Sequence, residues 1–264
     1  MTTCSSLRSD LPCGPFDAAI VDLDGTMVDT LGDFVVAINL MLHDMGLGAV
    51  DRATVEVRVG KGSEHLVLSV LNHARGQVTP GQGAIDKEAN NGSLLFDTAF
   101  ASYQQHYCTI NGQHAAVYAG VLEGLRGLQR AGLKLACLTN KPLAFAQDLL
   151  RLKGLDGFFT VVFGGDSFER KKPDPLPLLK TCEVLGVLPA RTLMVGDSSN
   201  DAQAARAAGC PVVLVTYGYN HGKPVRSVDA DGFVDSLTHL SYLTLLGEKQ
   251  GTQALFVKNT PPLA

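Results

Sequence analysis

Five short apolar runs, each closed by a polar or turn-forming residue, constrain this chain more than any other feature. They are Ala18–Leu23, Leu135–Leu138, Phe158–Phe163, Thr192–Val195 and Pro211–Thr216. Runs of this length suit buried strands better than helices. Helical patterns separate the last four. Leu122, Leu125 and Leu128 share one helix face, and Gly132 follows as a stop. Pro142–Leu152 suits a helix with proline in its first turn. Pro175–Leu185 and Asp201–Ala208 read as two more. Strands alternating with helices predict an α/β fold, a Rossmann-like parallel sheet covered on both faces.

The stretch between the first two strands breaks this rhythm. Residues 31–116 carry helical patterns at Phe34–Met45, Glu64–Leu71 and Leu94–Tyr107 and no convincing strand. Residues 76–92, rich in Gly, Gln and Asn, read as a loop. Such a length exceeds a simple crossover. The expected organisation is a discontinuous core at 17–30 and 117–248, an inserted helical cap at 31–116, and tails at 1–16 and 249–264.

Bulk properties narrow the function classes. The chain has 264 residues, 45% of them apolar, enough for a substantial core. A formal net charge of −4 speaks against nucleic acid as the main partner. No apolar run approaches the ~20 residues of a membrane span. Met1–Pro15 has no apolar segment of the signal-peptide kind. The six cysteines form no CxxC pair and no zinc spacing, so they read as reduced thiols of a cytoplasmic protein. Sequence leaves the oligomeric state open.

The chemistry lies where the strands end. Asp22-Leu-Asp-Gly-Thr26 closes the first strand, and side chains two apart on an extended chain point the same way. Asp22 and Asp24 can therefore converge where open α/β sheets bind ligands, one to attack phosphorus and the other to move a proton. Leu138-Thr-Asn-Lys141 ends the next strand, offering a hydroxyl, an amide and a helix N-terminus to an anion. Lys171-Lys-Pro-Asp-Pro175 presents a cation beside a proline turn. Val195-Gly-Asp-Ser-Ser-Asn-Asp201 places Asp197 to join Asp22 in holding Mg²⁺, a hard ion suited to carboxylates. Asp201 is expected behind it, as an outer-shell group or an acid in a first helical turn. Each motif alone has an ordinary explanation as a turn, a cap or a solvated charge.

As an ordered set, the four motifs resemble those of the haloacid dehalogenase superfamily, over about residues 17–246. The resemblance implies Asp22 as nucleophile and Asp24 as general acid/base, with the Asp24 backbone carbonyl also on Mg²⁺. It implies Thr139 and Lys172 at the phosphate and Asp197 at the metal; the strand-end reading adds the Asn140 amide at the phosphate. The second aspartate of the first motif favours phosphoryl chemistry over dehalogenation. Within the superfamily the chain looks most like bacterial phosphoglycolate phosphatases. Asp22–Asp29, Val59–Gly62 and Val215–Gly222 carry that likeness. The expected activity is Mg²⁺-dependent hydrolysis of a small phosphate ester through an aspartyl-phosphate. A sugar-phosphate mutase, a pyrophosphatase and a non-catalytic binder remain as alternatives. A carboxylate on the substrate would need donors from the cap, and Arg58 and Lys61 beside the Gly60–Gly62 turn are the candidates.

Overall fold

The computed structural model describes residues 16–78 and 90–240. In chain order its elements begin with β1 (Ala18–Val21), β2 (Val28–Asp29) and four helices: α1 (Leu31–Asp44), α2 (Arg52–Glu56), α3 (Ser63–Val78) and α4 (Asn90–Ile110). Then come β3 (Ala116–Val117), α5 (Val121–Arg130), β4 (Lys134–Leu138), α6 (Leu143–Leu152) and β5 (Val161–Phe163). The chain continues through α7 (Leu176–Leu185), β6 (Thr192–Gly196), α8 (Ser199–Ala208), β7 (Val212–Val215) and β8 (Gly232–Val234).

Six strands form one parallel sheet in the order β5-β4-β1-β6-β7-β8. Alternate residues of each strand enter different cores, as a two-residue period requires. Ala19 and Val21 of β1, with Leu135 and Cys137 of β4, pack under α5 and α6 beside Leu125, Leu128, Leu149 and Leu150. Ala18 and Ile20, with Ala136 and Leu138, pack under α7 and α8 beside Leu178, Cys182, Ala204 and Ala205. Both faces of the sheet are thereby sealed, which is why its strands read as unbroken apolar runs. β1 lies at the centre, and the chain turns to opposite sides of it through β4 and β6. That is the switch point of an open α/β sheet, where ligands bind beyond the carboxyl ends.

Helices α1 to α4 enclose a separate core of Phe34, Ile38, Met41, Leu66, Val70, Phe96, Tyr103 and Tyr107. Where the chain leaves the sheet and returns to it, β2 and β3 pair antiparallel. Asp33, fully buried in α1, fixes the return by accepting 2.7 Å bonds from the Gly112 and His114 N–H groups.

Several boundaries differ from the sequence reading. Strand β3 places Ala116 in a strand, inside the stretch expected to hold none. Two-residue strands are too short to show a period. β8 was missed for the same reason, and so was the five-residue α2. Phe158 belongs to a 3₁₀ turn before β5. Pro142 caps α6 from outside. Residues 76–78 and 90–92 are helical, not loop. The remainder of that expected loop, 79–89, and the two tails lie outside the described residues, apart from Phe16. Among the described residues no helix is long and apolar enough to cross a membrane. Cys108, Cys137, Cys182 and Cys210 are free thiols.

Candidate active site

The carboxyl ends of β1, β4 and β6 bring Asp22, Thr139 and Asp197 to one edge of the sheet. The segment after β5 adds Lys172. All four are buried, at 8%, 2%, 4% and 3% exposure. Such groups need mutual compensation. Lys172 Nζ provides part of it: it lies 2.7 Å from Asp201 Oδ1, 2.9 Å from Asp22 Oδ1 and 2.8 Å from the Leu138 carbonyl. Burial works against its charge, but the Asp201 and Asp22 carboxylates outweigh that and raise its pKa. The Asp22 contact is an ion pair without hydrogen-bond alignment, so Asp22 Oδ1 is buried without a hydrogen bond. Burial, reinforced by the Asp201 and Asp24 charges against the pull of Lys172, pushes the Asp22 carboxyl up to about 7.

Asp197 is raised well above the usual carboxylate range, first by burial and then by Asp201 and Asp22. Its Oδ2 accepts a 2.7 Å bond from the Tyr219 N–H. Gly25 makes this close approach feasible. Its φ is +81°, and a Cβ there would stand 2.3 Å from Asp197 Oδ2. Tyr219 also reaches the start of α1. Its hydroxyl donates to Asp29 Oδ1 at 2.8 Å and accepts from the N–H groups of Thr30 and Leu31 at 2.8 and 3.1 Å.

Asp201 is fully engaged. Besides Lys172 on Oδ1, its Oδ2 accepts from the Asp197 and Ser198 N–H groups and from Ser198 Oγ, closing a capping box at α8. Asp22, Asp197 and Asp201 nevertheless offer oxygens within 4.8 Å of one another. Two of these three carboxylates carry raised pKa values, first through burial and then through the neighbouring carboxylates. A hard divalent ion fits that donor set. Asp22 and Asp197 would hold it, and Asp201 would hold Lys172 and the loop.

The side chain of Asp24 turns elsewhere. Its Oδ1 accepts from Lys141 Nζ at 3.0 Å, and Lys141 also donates to the Tyr107 hydroxyl at 2.6 Å. Any share of Asp24 in a metal site would therefore come from its backbone carbonyl. The sequence reading gives Lys141 no role beyond ending the Leu138–Lys141 motif. Its signal, a lysine in a strand-end motif, was present but had no partner until α1 and α4 supplied Phe34 and Tyr107.

Thr139 Oγ1 accepts from the Lys141 N–H at 3.2 Å, which leaves its own hydrogen to donate. The Asn140 side chain behaves differently from a phosphate ligand. Its Nδ2 donates to the Lys172 carbonyl at 2.8 Å and to the Gly60 carbonyl at 3.0 Å. Both amide hydrogens are used, so Asn140 could offer an anion only its backbone N–H. Asn200 Nδ2 joins it on Gly60 at 3.0 Å.

Between the sheet edge and α1–α4 lies a cavity of about 30 Å³, room for very few waters. Asp22, Asp24, Thr139, Asn140, Lys141 and Lys172 line it from below. Phe34, Val59, Gly60, Gly62, Ser63 and Leu66 line it from above. Arg58 and Lys61 do not. The Arg58 guanidinium turns back to the Thr54 carbonyl of α2, and Lys61 is exposed. The turn presents its glycines to the cavity and its charges elsewhere.

A family profile described as haloacid dehalogenase-like hydrolase matches residues 19–215. A phosphoglycolate phosphatase of Thiobacillus denitrificans is 42% identical over 229 residues, 87% of this chain and 96% of that protein. A plasmid-borne phosphoglycolate phosphatase of Cupriavidus necator is 43% identical over 88% of this chain and 94% of its own. The crystal structure of a predicted phosphoglycolate phosphatase from Haemophilus somnus superposes with a TM-score of 0.80. It is 31% identical, over 87% of this chain and 98% of that one.

Proposed function

The chain belongs to the haloacid dehalogenase-like hydrolases, and on that premise we propose that it hydrolyses 2-phosphoglycolate, with Asp22 as nucleophile and Mg²⁺ as the metal. It is a phosphoric monoester hydrolase, and the substrate named in its relatives is carried over here as a proposal. The observation that carries the reading is the division of labour between two carboxylates two residues apart. Asp22 faces Lys172 and Asp197, whereas Asp24 pairs with Lys141 on the same side of the cavity.

The residues act in two half-reactions. Asp22 attacks phosphorus, and the bond to the leaving oxygen breaks while Asp24 delivers a proton to that oxygen. Lys172 and the Thr139 hydroxyl stabilise charge on the phosphoryl oxygens. Asp24 then takes a proton from water as it attacks the phosphorylated Asp22, freeing phosphate and the carboxylate. When bound, Mg²⁺ offsets the repulsion between Asp22 and the substrate phosphate. Helices α1–α4 act as a cap. A cavity of about 30 Å³ is tight for a phosphate ester, and movement of these helices would admit one.

The test is phosphate release from a panel of small esters, sugar phosphates and pyrophosphate, with Mg²⁺ and with chelator. Mg²⁺-dependent release, fastest from 2-phosphoglycolate, is expected. Equal or faster release from pyrophosphate, or transfer of phosphate between sugars without release, would overturn the assignment.

A further inference from the structure

The cavity contains two buried ammonium groups, and only Lys172 serves the nucleophile. Lys141 stands on the other side of Asp24, with the rings of Phe34 and Tyr107 at 4.7 and 4.8 Å. Its side chain is 2% exposed. Two of its three N–H donors go to Asp24 and to the Tyr107 hydroxyl. The third has no partner among the described residues. Across the cavity lie Gly62 and Ser63, the latter the first residue of the sixteen-residue α3. The N–H groups of that first turn have no acceptor within the helix. The Tyr103 hydroxyl is fully buried beside Ser63, with the Ser63 side chain as its polar neighbour.

Resting on the reading that this site cleaves a phosphate ester with Asp24 as proton donor, we infer that Lys141, facing Ser63 and the first turn of α3, binds a carboxylate carried on the leaving group. The geometry leads there in one step. Asp24 must come within hydrogen-bond reach of the leaving oxygen. In 2-phosphoglycolate a single methylene joins that oxygen to the carboxylate. A cation 3.0 Å from Asp24 therefore stands where the second anion falls. The specificity cation comes from the strand end of β4, while the cap supplies a hydroxyl and helix N–H groups.

Lys141 also touches Asp24, so the test must separate the two contacts. Lys141→Gln retains a donor for Asp24 and removes the charge; Lys141→Met removes both. Each is assayed on 2-phosphoglycolate, on 3-phosphoglycerate and on ethyl phosphate, which replaces the carboxylate with a methyl group. Circular dichroism checks that the variants fold. If Lys141→Met does not fold, Lys141→Gln and Ser63→Ala carry the comparison. The expected result is a loss in kcat/KM on the carboxylate esters about ten- to a hundredfold greater than on ethyl phosphate. Equal losses on all three would assign Lys141 to Asp24 alone, overturning the inference and leaving the substrate proposal standing. A wild-type preference for 3-phosphoglycerate that Lys141→Gln abolishes would support the inference and overturn the named substrate. A wild-type enzyme with no preference for carboxylate esters would overturn both.

Discussion

Asn140 and Gly60 are 80 residues apart in the chain and joined by a 3.0 Å hydrogen bond from the Asn140 amide to the Gly60 carbonyl. This contact ties the end of β4 to the turn before α3. Asn200, from the first turn of α8, donates to the same carbonyl. Two neutral hydrogen bonds, each worth about 1 kcal/mol net, thus hold the Gly60 turn to the sheet edge, beside the Lys141 bond to the Tyr107 hydroxyl. Replacing Asn200 with alanine removes one of them without touching the Lys172 loop. Hydrogen exchange across residues 58–62 should rise several-fold in Asn200→Ala and more in the Asn140→Ala, Asn200→Ala double variant. Unchanged exchange in the double variant would mean that the turn is held by other contacts, such as Lys141 with Tyr107 and the apolar packing.

Asp22→Asn should abolish turnover and preserve the fold. An amide cannot attack phosphorus as a carboxylate does, while its shape is nearly the same. The substitution also removes a buried carboxylate from a cluster of three, one that burial already holds above its usual range. The variant should therefore be at least as stable as the wild type in chelator. Phosphate release and thermal melting check both halves, and near-normal turnover in a folded variant would sink the covalent mechanism.

Lys172→Met should cost both stability and activity. Its ammonium stands between Asp201 and Asp22, and removing it strands two buried carboxylates. Breaking a buried ion pair from one side typically costs about 3–5 kcal/mol. Denaturant midpoints should fall accordingly. A loss below about 1 kcal/mol would place Lys172 among groups that contribute as little as a surface ion pair.

Without metal, stability should decline as pH rises from about 5 to 8. In the unfolded chain an aspartate titrates near about 4, whereas burial pushes folded Asp22 up to about 7 and raises Asp197 as well. Between those values the folded state binds more protons than the unfolded one. The contribution is fully present below the unfolded pKa and is lost as pH passes the folded one. Tm measured in chelator should trace this decline, and Mg²⁺ should flatten it by binding the deprotonated cluster. A flat profile in chelator would argue that burial does not raise Asp22 and Asp197 in the metal-free protein.

The sheet and the strand-end chemistry were legible in the sequence, and much of the surroundings was not. Strands buried on both faces must be apolar throughout, so β1, β4, β6 and β7 announce themselves, and the polar residue after each marks the ligand edge. Asp22, Asp24, Thr139 and Asp197 follow from that local rule. β2, β3 and β8 are two or three residues long and leave no periodic trace.

What the chain alone determined, then, was the set of groups delivered to one edge of a parallel sheet, because strand burial and strand termination are written in neighbouring residues. Only the tertiary structure decided what each group faces. Arg58 and Lys61 sit beside a cavity-lining turn in sequence, yet that turn shows the cavity Gly60 and Gly62. Asn140 offers an amide at a strand end, yet the amide holds Gly60 and Lys172. Lys141 ends a strand-end motif in the sequence, and only the packing of Phe34 of α1 and Tyr107 of α4 around it gives it partners. These directions depend on helices packed from dozens of residues away. A buried charge takes whichever partner that packing brings within reach.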